Sequence, residues 1–536
     1  MAGLSAEENA EVVRFKRTAQ RTDNRRTEDL WLELRRAFDE AQEKQTTGQR
    51  FGELYYAAYA MVVRNKGARL YKGVREVVTE HLTNKVRPLI LAKIHDDFLQ
   101  VLIQAWRDHQ RSMKIIGDIV AYMDNVFVPR NNADSVSKLS VSLFRDKVVR
   151  HADVQDRLRE TLLGLVKAER EGKRVDRILM KEACEILTSL GLDSRSVYED
   201  FERPFLAESA KFYAFQGQTY VEKMDALEYI TKVEQHIHEE SERARQCLDE
   251  STAVPIVHVV MEQLVGKHKK AIVEMEGSGV VHMLENRMTQ ELRRTFRLLK
   301  RVQGGLKTLL DCMSKYLRDL GRSIVSDHGD SVSLVPKVME LKDRFDYFLQ
   351  HSFDSEPLVK ETMATDFEYI LSLTRKSPEH LSTFVDDVLR NRIKCMTKRK
   401  IDLLLDKVVA ILRFLQEKDL FELHYRQRLA NRLLLDDGVT ADAERSMVNK
   451  LGSICGCQFT YKMEAMFKDL LISGTLMKQF KVVLSSCDMD LDGVDLNVRV
   501  LKTGFLGPAC RHAANQHSSH PTQRVRDVPT VLPSQA

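Results

Sequence analysis

Proline placement constrains this chain most. Through residue 504 the prolines stand only at 88, 129, 204, 255, 336, 357 and 378, and then four crowd into the end at 508, 521, 529 and 533. Proline lacks a backbone N–H and clashes with the preceding turn, so helix interiors exclude it. The long proline-poor body permits long helices, and residues 505–536 do not. Apolar spacing agrees. Leu99, Leu102, Ile103, Trp106, Met113, Ile116, Val120, Met123 and Phe127 recur at spacings of three, four and once seven, with Leu102 and Ile103 adjacent, the signature of one helical face or of two stacked helices. Leu403–Leu435 carries Val408, Ile411, Leu412, Leu415, Leu420, Leu423, Leu429 and Leu433 in the same manner. Alternation appears late: Val494, Leu496, Val498 and Val500 predict a β-strand over Val494–Leu501.

Weakly similar blocks recur around Phe98–Phe127, Phe201–Ile237 and Leu306–Val325, which predicts stacked helical bundles in an elongated body. With 536 residues and 43% hydrophobic content the chain can form about three or four domains. Its 83 lysines and arginines nearly cancel 78 acids, so overall charge does not argue for nucleic-acid binding. Eight cysteines without framework spacing read as free thiols of a reducing compartment. Residues 1–20 have no apolar core of a signal peptide, and no run of about 18 apolar residues predicts a membrane span. The expected setting is the cytoplasm and nucleus, without membrane contact.

Catalytic motifs are missing: there is no GxxxxGK[ST], HExxH or GxSxG. Asp327-His328-Gly329-Asp330 reads as a polar turn rather than an acid–base cluster. Cys455-x-Cys457 lacks a second ligand pair and reads as buried structural thiols. Cys510, His512, His517 and His520 have zinc-like spacing. They lie in a stretch that also reads as compositionally odd tail, and no metal or cofactor is expected. The sharper feature is FGELYYAAY, residues 51–59. Phe51, Tyr55 and Tyr59 follow i, i+4, i+8 on one helix edge, and Leu54, Ala58 and Met61 form an adjacent stripe. Two apolar stripes suggest one for the core and one for a partner, because aromatics favour interfaces. The alternative is that all of them are core. Tyr122 carries the same ambiguity.

Longer runs go further. LYKGVREVVTEHL (70–82), AWRDHQRSM (105–113), YMDNVFV (122–128), SGVVHMLEN (278–286), FRLLKRVQGGLKTL (296–309), DFEYILSL (366–373), RFLQEKDLFELHYRQRLANRLL (413–434), CGCQFTYKMEAMFKDL (455–470) and GVDLNVRVLKTG (493–504) stand in order along the chain. Over roughly residues 27–504 it resembles the cullin family, and within it the kind that binds BTB-domain adaptors.

The resemblance implies an all-α stalk of three cullin repeats, at 27–150, 151–270 and 271–375, behind an N-terminal arm (1–26). A partial C-terminal cullin-homology domain (376–504) would follow, with a helical bundle and the first strand of an α/β part. It implies a non-catalytic scaffold of a ubiquitin ligase. Adaptors would bind Phe51, Leu54, Tyr55, Tyr59 and Tyr122, a RING-box protein would bind the C-terminal part, and a ubiquitin-conjugating enzyme would join only indirectly. Assembly through a dimeric adaptor is a further expectation. The alternatives are a plain helical tether or a competitor of a full-length scaffold. The family's FEELY is FGELY here, so Gly52 weakens the helix start by up to about 1 kcal/mol relative to Ala. Residues 505–536 match nothing in the family; back-translated and shifted by one base, Thr522–Ala536 resembles a cullin run. The tail therefore reads as out of frame and disordered, and RING-box binding is expected to be weak or lost.

Overall fold

The computed structural model describes residues 26–44, 51–191, 196–327, 331–392, 396–435, 441–486 and 498–502. Among these residues all regular structure is helical. The fold class is all-α, as the periodicity predicts.

The chain divides into two compact units, one comprising residues up to 268 apart from 225–230, the other comprising 225–230 and everything from 269 onward. In the first unit, α1 (26–42) is followed by α2 (Phe51–Val63), α3 (Gly67–His81), α4 (Phe98–Ile119), α5 (Val136–Phe144), α6 (Ala152–Arg170), α7 (Arg177–Ser189) and α8 (Ser196–Lys223). Helix α9 (Ala226–Cys247) contributes its first residues to the second unit and the rest to the first, and α10 (Ala253–Met261) follows it. Short polar residues start several helices. Ser135 Oγ accepts from the Lys138 N–H at 3.3 Å, Asp176 from Ile178 and Leu179 at 3.1 Å, and Asp225 from Leu227 and Glu228. Each satisfies donors that the helix itself leaves open.

The α4 stripe behaves as read: Leu99, Leu102, Ile103, Trp106, Met113 and Ile116 are all buried. It packs on α2, α5 and α7. Close approach elsewhere depends on missing side chains. A Cβ on Gly73 in α3 would stand 2.2 Å from the Trp31 indole of α1, and the Arg69 guanidinium lies 5.3 Å above the same ring. The centre of the unit also holds charge. Arg170 donates to Glu240 at 2.8 Å and to Ser209 Oγ at 2.7 Å, Tyr213 donates to Glu240, and Arg243 bonds Glu169 at 2.8 Å. Burial alone would raise the Glu240 carboxyl, but Arg170 and Arg243 beside it more than reverse this and hold it below its ordinary range.

The second unit continues with α11 (Thr289–Lys300), α12 (Gly305–Asp327), α13 (Ser331–His351), α14 (Pro357–Ser372), α15 (Ser377–Asp387), α16 (Lys398–Leu412), α17 (Lys418–Leu435), α18 (Ala441–Cys455) and α19 (Cys457–Ser486). Here Arg432 is 0% exposed. It grips Glu444 through Nε at 2.5 Å and a terminal nitrogen at 2.9 Å, and reaches Asp386 at 2.5 Å. One guanidinium therefore joins α15, α17 and α18. Asp366 of α14 is equally buried and accepts from Ser314 at 2.7 Å and Arg318 at 2.6 Å of α12.

Several sequence expectations change. Pro204 and Pro336 lie inside α8 and α13 rather than at breaks; both helices run on, each without the one N–H that proline lacks. Leu403–Leu435 is not one continuous face. Arg413–Glu417 separates α16 from α17, and Leu403 and Leu420 are exposed while Phe421, Tyr425 and Leu429 face the core. Of the expected strand, residues 494–497 lie outside the described set, and Val498–Leu501 is irregular. Two of its backbone groups, and the Lys502 N–H after it, are bonded by α19 side chains. Ser473 Oγ donates to Val498 O and accepts from the Val500 N–H, both at 3.1 Å, and Asp469 accepts from Lys502. The buried side chain is Leu501, of opposite parity to the predicted face. Residues 1–25, His328–Asp330, Cys510, His512, His517 and His520 lie outside the described residues.

Two outcomes are expected. Gly73→Ala drives a methyl into Trp31 and lowers unfolding free energy by about 1–3 kcal/mol in a denaturant titration. His109, packed against Trp106 and Phe144 and hydrogen-bonded to Ser140, is pushed by burial down to about 4. The unfolded imidazole takes a proton below about pH 6.5, while the folded one stays neutral to about pH 4. Its contribution is therefore complete above the unfolded value and lost as pH falls through that window, with a slope of up to about 1.4 kcal/mol per pH unit. His109→Gln removes that part of the slope, read as the difference between the two proteins' unfolding free energies from pH 7 to 4.

Candidate protein-binding surface

Helix α2 separates its apolar residues by burial. Leu54, Ala57, Ala58, Met61 and Val62 face inward. Phe51 is 44% exposed, Tyr55 and Tyr59 are each 37% exposed, and Tyr56 is 68% exposed. The inward stripe packs on α3 and α4, so the helix is held by one face and presents the other. Glu53 in its first turn lies at the positive end of the helix dipole, where a carboxylate is favourable.

The exposed rings touch in two groups. Phe51 and Tyr55 stack with centroids 6.4 Å apart, Tyr56 and Tyr59 stack at 6.1 Å, and Tyr59 meets Tyr122 at 4.6 Å and 57°. Such pairs add about 0.5–1.5 kcal/mol beyond burial and hold each ring near one orientation. Tyr122 follows the end of α4, is half-buried and packs against the core, so it ties Tyr59 to the bundle. A surface ordered before it is covered loses less entropy on binding.

The structure thus brings Phe51, Tyr55, Tyr59 and Tyr122 onto one surface. It does not bring Leu54 there: at 3% exposure Leu54 belongs to the core and supports the helix from beneath. Sequence spacing also missed Tyr56, the most exposed of these rings. Its signal was present, since Tyr56 and Tyr59 stand at i, i+3 and share a helix edge as surely as an i, i+4 pair.

Other candidates do not assemble. Cys455 ends α18 and Cys457 opens α19 across Gly456, whose φ of +88° suits glycine. Burial raises the Cys455 thiol, whereas Cys457 is exposed rather than buried. Among the described residues no group of three or more His, Cys, Asp or Glu side chains is placed to hold a metal ion, and no helix is long and apolar enough to cross a membrane.

An all-α protein, among the described residues, with an exposed aromatic surface on its first unit is the class defined so far. A family model described as the cullin alpha solenoid domain matches residues 31–477. Cullin-3 of Dictyostelium discoideum is 38% identical over 479 residues, 89% of this chain and 62% of that relative. Cullin-3 of Caenorhabditis elegans is 36% identical, covering 94% and 66%. Cullin-4A of Homo sapiens is 31% identical, covering 92% and 64%. The chain belongs to the cullin family, and it spans about two thirds of the length of these relatives.

Gly52 tests how the ridge is set. A Cβ there would meet nothing within 4 Å, so Gly52→Ala should raise the unfolding free energy of the first unit by up to about 1 kcal/mol through backbone entropy alone. Thermal or urea unfolding measures it.

Proposed function

We infer that this chain acts as a scaffold subunit of a cullin–RING ubiquitin ligase and uses the α2 ridge to bind BTB-domain substrate adaptors. The observation that carries this reading is the ridge itself: four aromatic side chains, Phe51, Tyr55, Tyr56 and Tyr59, exposed on one helix, with Tyr59 against Tyr122. Large rings held in place and left uncovered resemble the anchors that dominate protein–protein binding energy. The similarity to Cullin-3 relatives supports the choice of partner class.

In this reading the chain performs no chemistry. A RING-box protein and, through it, a ubiquitin-conjugating enzyme would supply catalysis, and the scaffold would contribute proximity by making transfer effectively intramolecular. A dimeric adaptor would pair two such scaffolds. The setting would be the cytoplasm and nucleus. Co-purification with a RING-box protein probes the second half of this reading independently of the first.

The test of the ridge is calorimetric titration of the full chain with a purified BTB-domain adaptor. Phe51→Ala with Tyr55→Ala should weaken binding by about thirtyfold or more, corresponding to about 2 kcal/mol for a lost hot spot. Because both rings are exposed, the thermal midpoint should hardly move. Ile178→Ala removes an exposed apolar residue that lies away from α2 in the sequence, on α7, and should leave affinity unchanged. Adaptor binding that survives the double substitution would overturn the assignment.

A further inference from the structure

Helix α19 has an uncovered apolar end. Leu471, Ile472, Leu476, Val482 and Val483 are exposed there, and so are Val498 and Val500 beside it. Between the helix and these valines lies a groove of about 410 Å³, with Ile472, Leu476, Met477 and Phe480 on one wall and Val498 and Val500 on the other. Its polar lining residues are already bonded to one another. Asp469 accepts from the Lys502 N–H at 3.0 Å and pairs with Lys502 Nζ at 3.8 Å. Ser473 is engaged by Val498 and Val500. The groove therefore offers its occupant apolar surface, and apolar surface gathered in this way marks a site of contact.

The course of the chain points to the occupant. Residues 498–502 run antiparallel to α19, since Val498 and Val500 bond Ser473 while Lys502 bonds Asp469 one turn earlier. The chain thus forms the groove's own wall as far as Lys502, and Thr503-Gly504-Phe505-Leu506-Gly507 follows at once. Phe505 and Leu506 are the first large apolar residues after Leu501, and no charged side chain stands between Lys502 and Arg511. Three residues reach at most about 10 Å. At 1.5 Å per residue, Ile472 and Leu476 stand about 4 and 10 Å along the helix from Asp469. The reach suffices once the chain reverses, and Gly504 is the residue type that turns most freely.

A segment tethered this closely has an effective concentration in the mM range, which a free partner of equal fit does not match. A second copy fits less well. A two-fold interface sets a surface against itself, and residues 470–486 contain Lys478 and Lys481 but no Asp or Glu to meet them.

We propose that Phe505 and Leu506 dock back into this groove and cover Ile472, Leu476 and Val500. The inference does not rest on the α2 ridge.

The test is photo-cross-linking of the full chain with p-benzoylphenylalanine in place of Phe505. After irradiation, peptide mass spectrometry should find the probe joined to the α19 stretch Ile472–Phe480, within chains that run as monomers in size-exclusion chromatography. Leu476→Asp puts a charge into the groove and should lower that yield about threefold or more, by removing a leucine contact. Because Leu476 is already exposed, the thermal midpoint should hardly move. Leu403→Asp alters an exposed leucine on α16 and should leave the yield unchanged. The proposal is overturned if the probe does not join α19, if it joins α19 only between two chains, or if Leu476→Asp leaves the yield as it was.

Discussion

No helix of this chain can remove its apolar stripe from water by itself. A stripe such as Leu99, Leu102, Ile103, Trp106 and Ile116 on α4 is stabilising only against other helices, and each of those has its own stripe to cover. Helix-on-helix packing within each unit follows from that single requirement. How closely the helices approach is then set by the smallest residues between them. Gly73 admits the Trp31 indole, and in the second unit a Cβ on Gly321 would stand 2.3 Å from Ile370. Both glycines forgo helix propensity, a cost of about 1 kcal/mol each, in return for contacts that no larger side chain would permit.

Charge is buried in both units under a stricter rule. A lone buried ion is too costly to keep, whereas a saturated cluster is tolerated. Arg432, Glu444 and Asp386 form such a cluster in the second unit; Arg170, Glu240, Arg243, Glu169 and Tyr213 pair in the first, where Glu240 Oε2 is left without a hydrogen bond. These groups bond in fixed directions, so they accept few alternative helix registers. An apolar stripe can slide by a turn and still be buried; the fork of Arg432 on Glu444 cannot.

Helix identity and the two faces of α2 were legible in the sequence because both are local, set by residues three and four apart. The ridge of Phe51, Tyr55 and Tyr59 was therefore visible, and Tyr56 should have been. Other features were not local. Leu420 has the spacing of a core residue, but the break at Arg413–Glu417 reset the helix phase, and Phe421 took its place inside. Val498 and Val500 alternate as a strand would, yet Ser473 and Asp469 on α19 bond the backbone that a neighbouring strand would otherwise satisfy.

By itself the sequence determined that the body is helical, that α2 has two apolar stripes and, through its ordered motifs, that the chain is a cullin. Those are properties of periodicity and of residue order, which survive without coordinates. Tertiary structure alone decided that Leu54 lies beneath the ridge, that Phe51, Tyr55 and Tyr59 stay exposed, and that Tyr122 comes within 4.6 Å of Tyr59. The reason is physical: burial and pairing are relations between residues far apart in the chain, and the packing of one helix on another creates them.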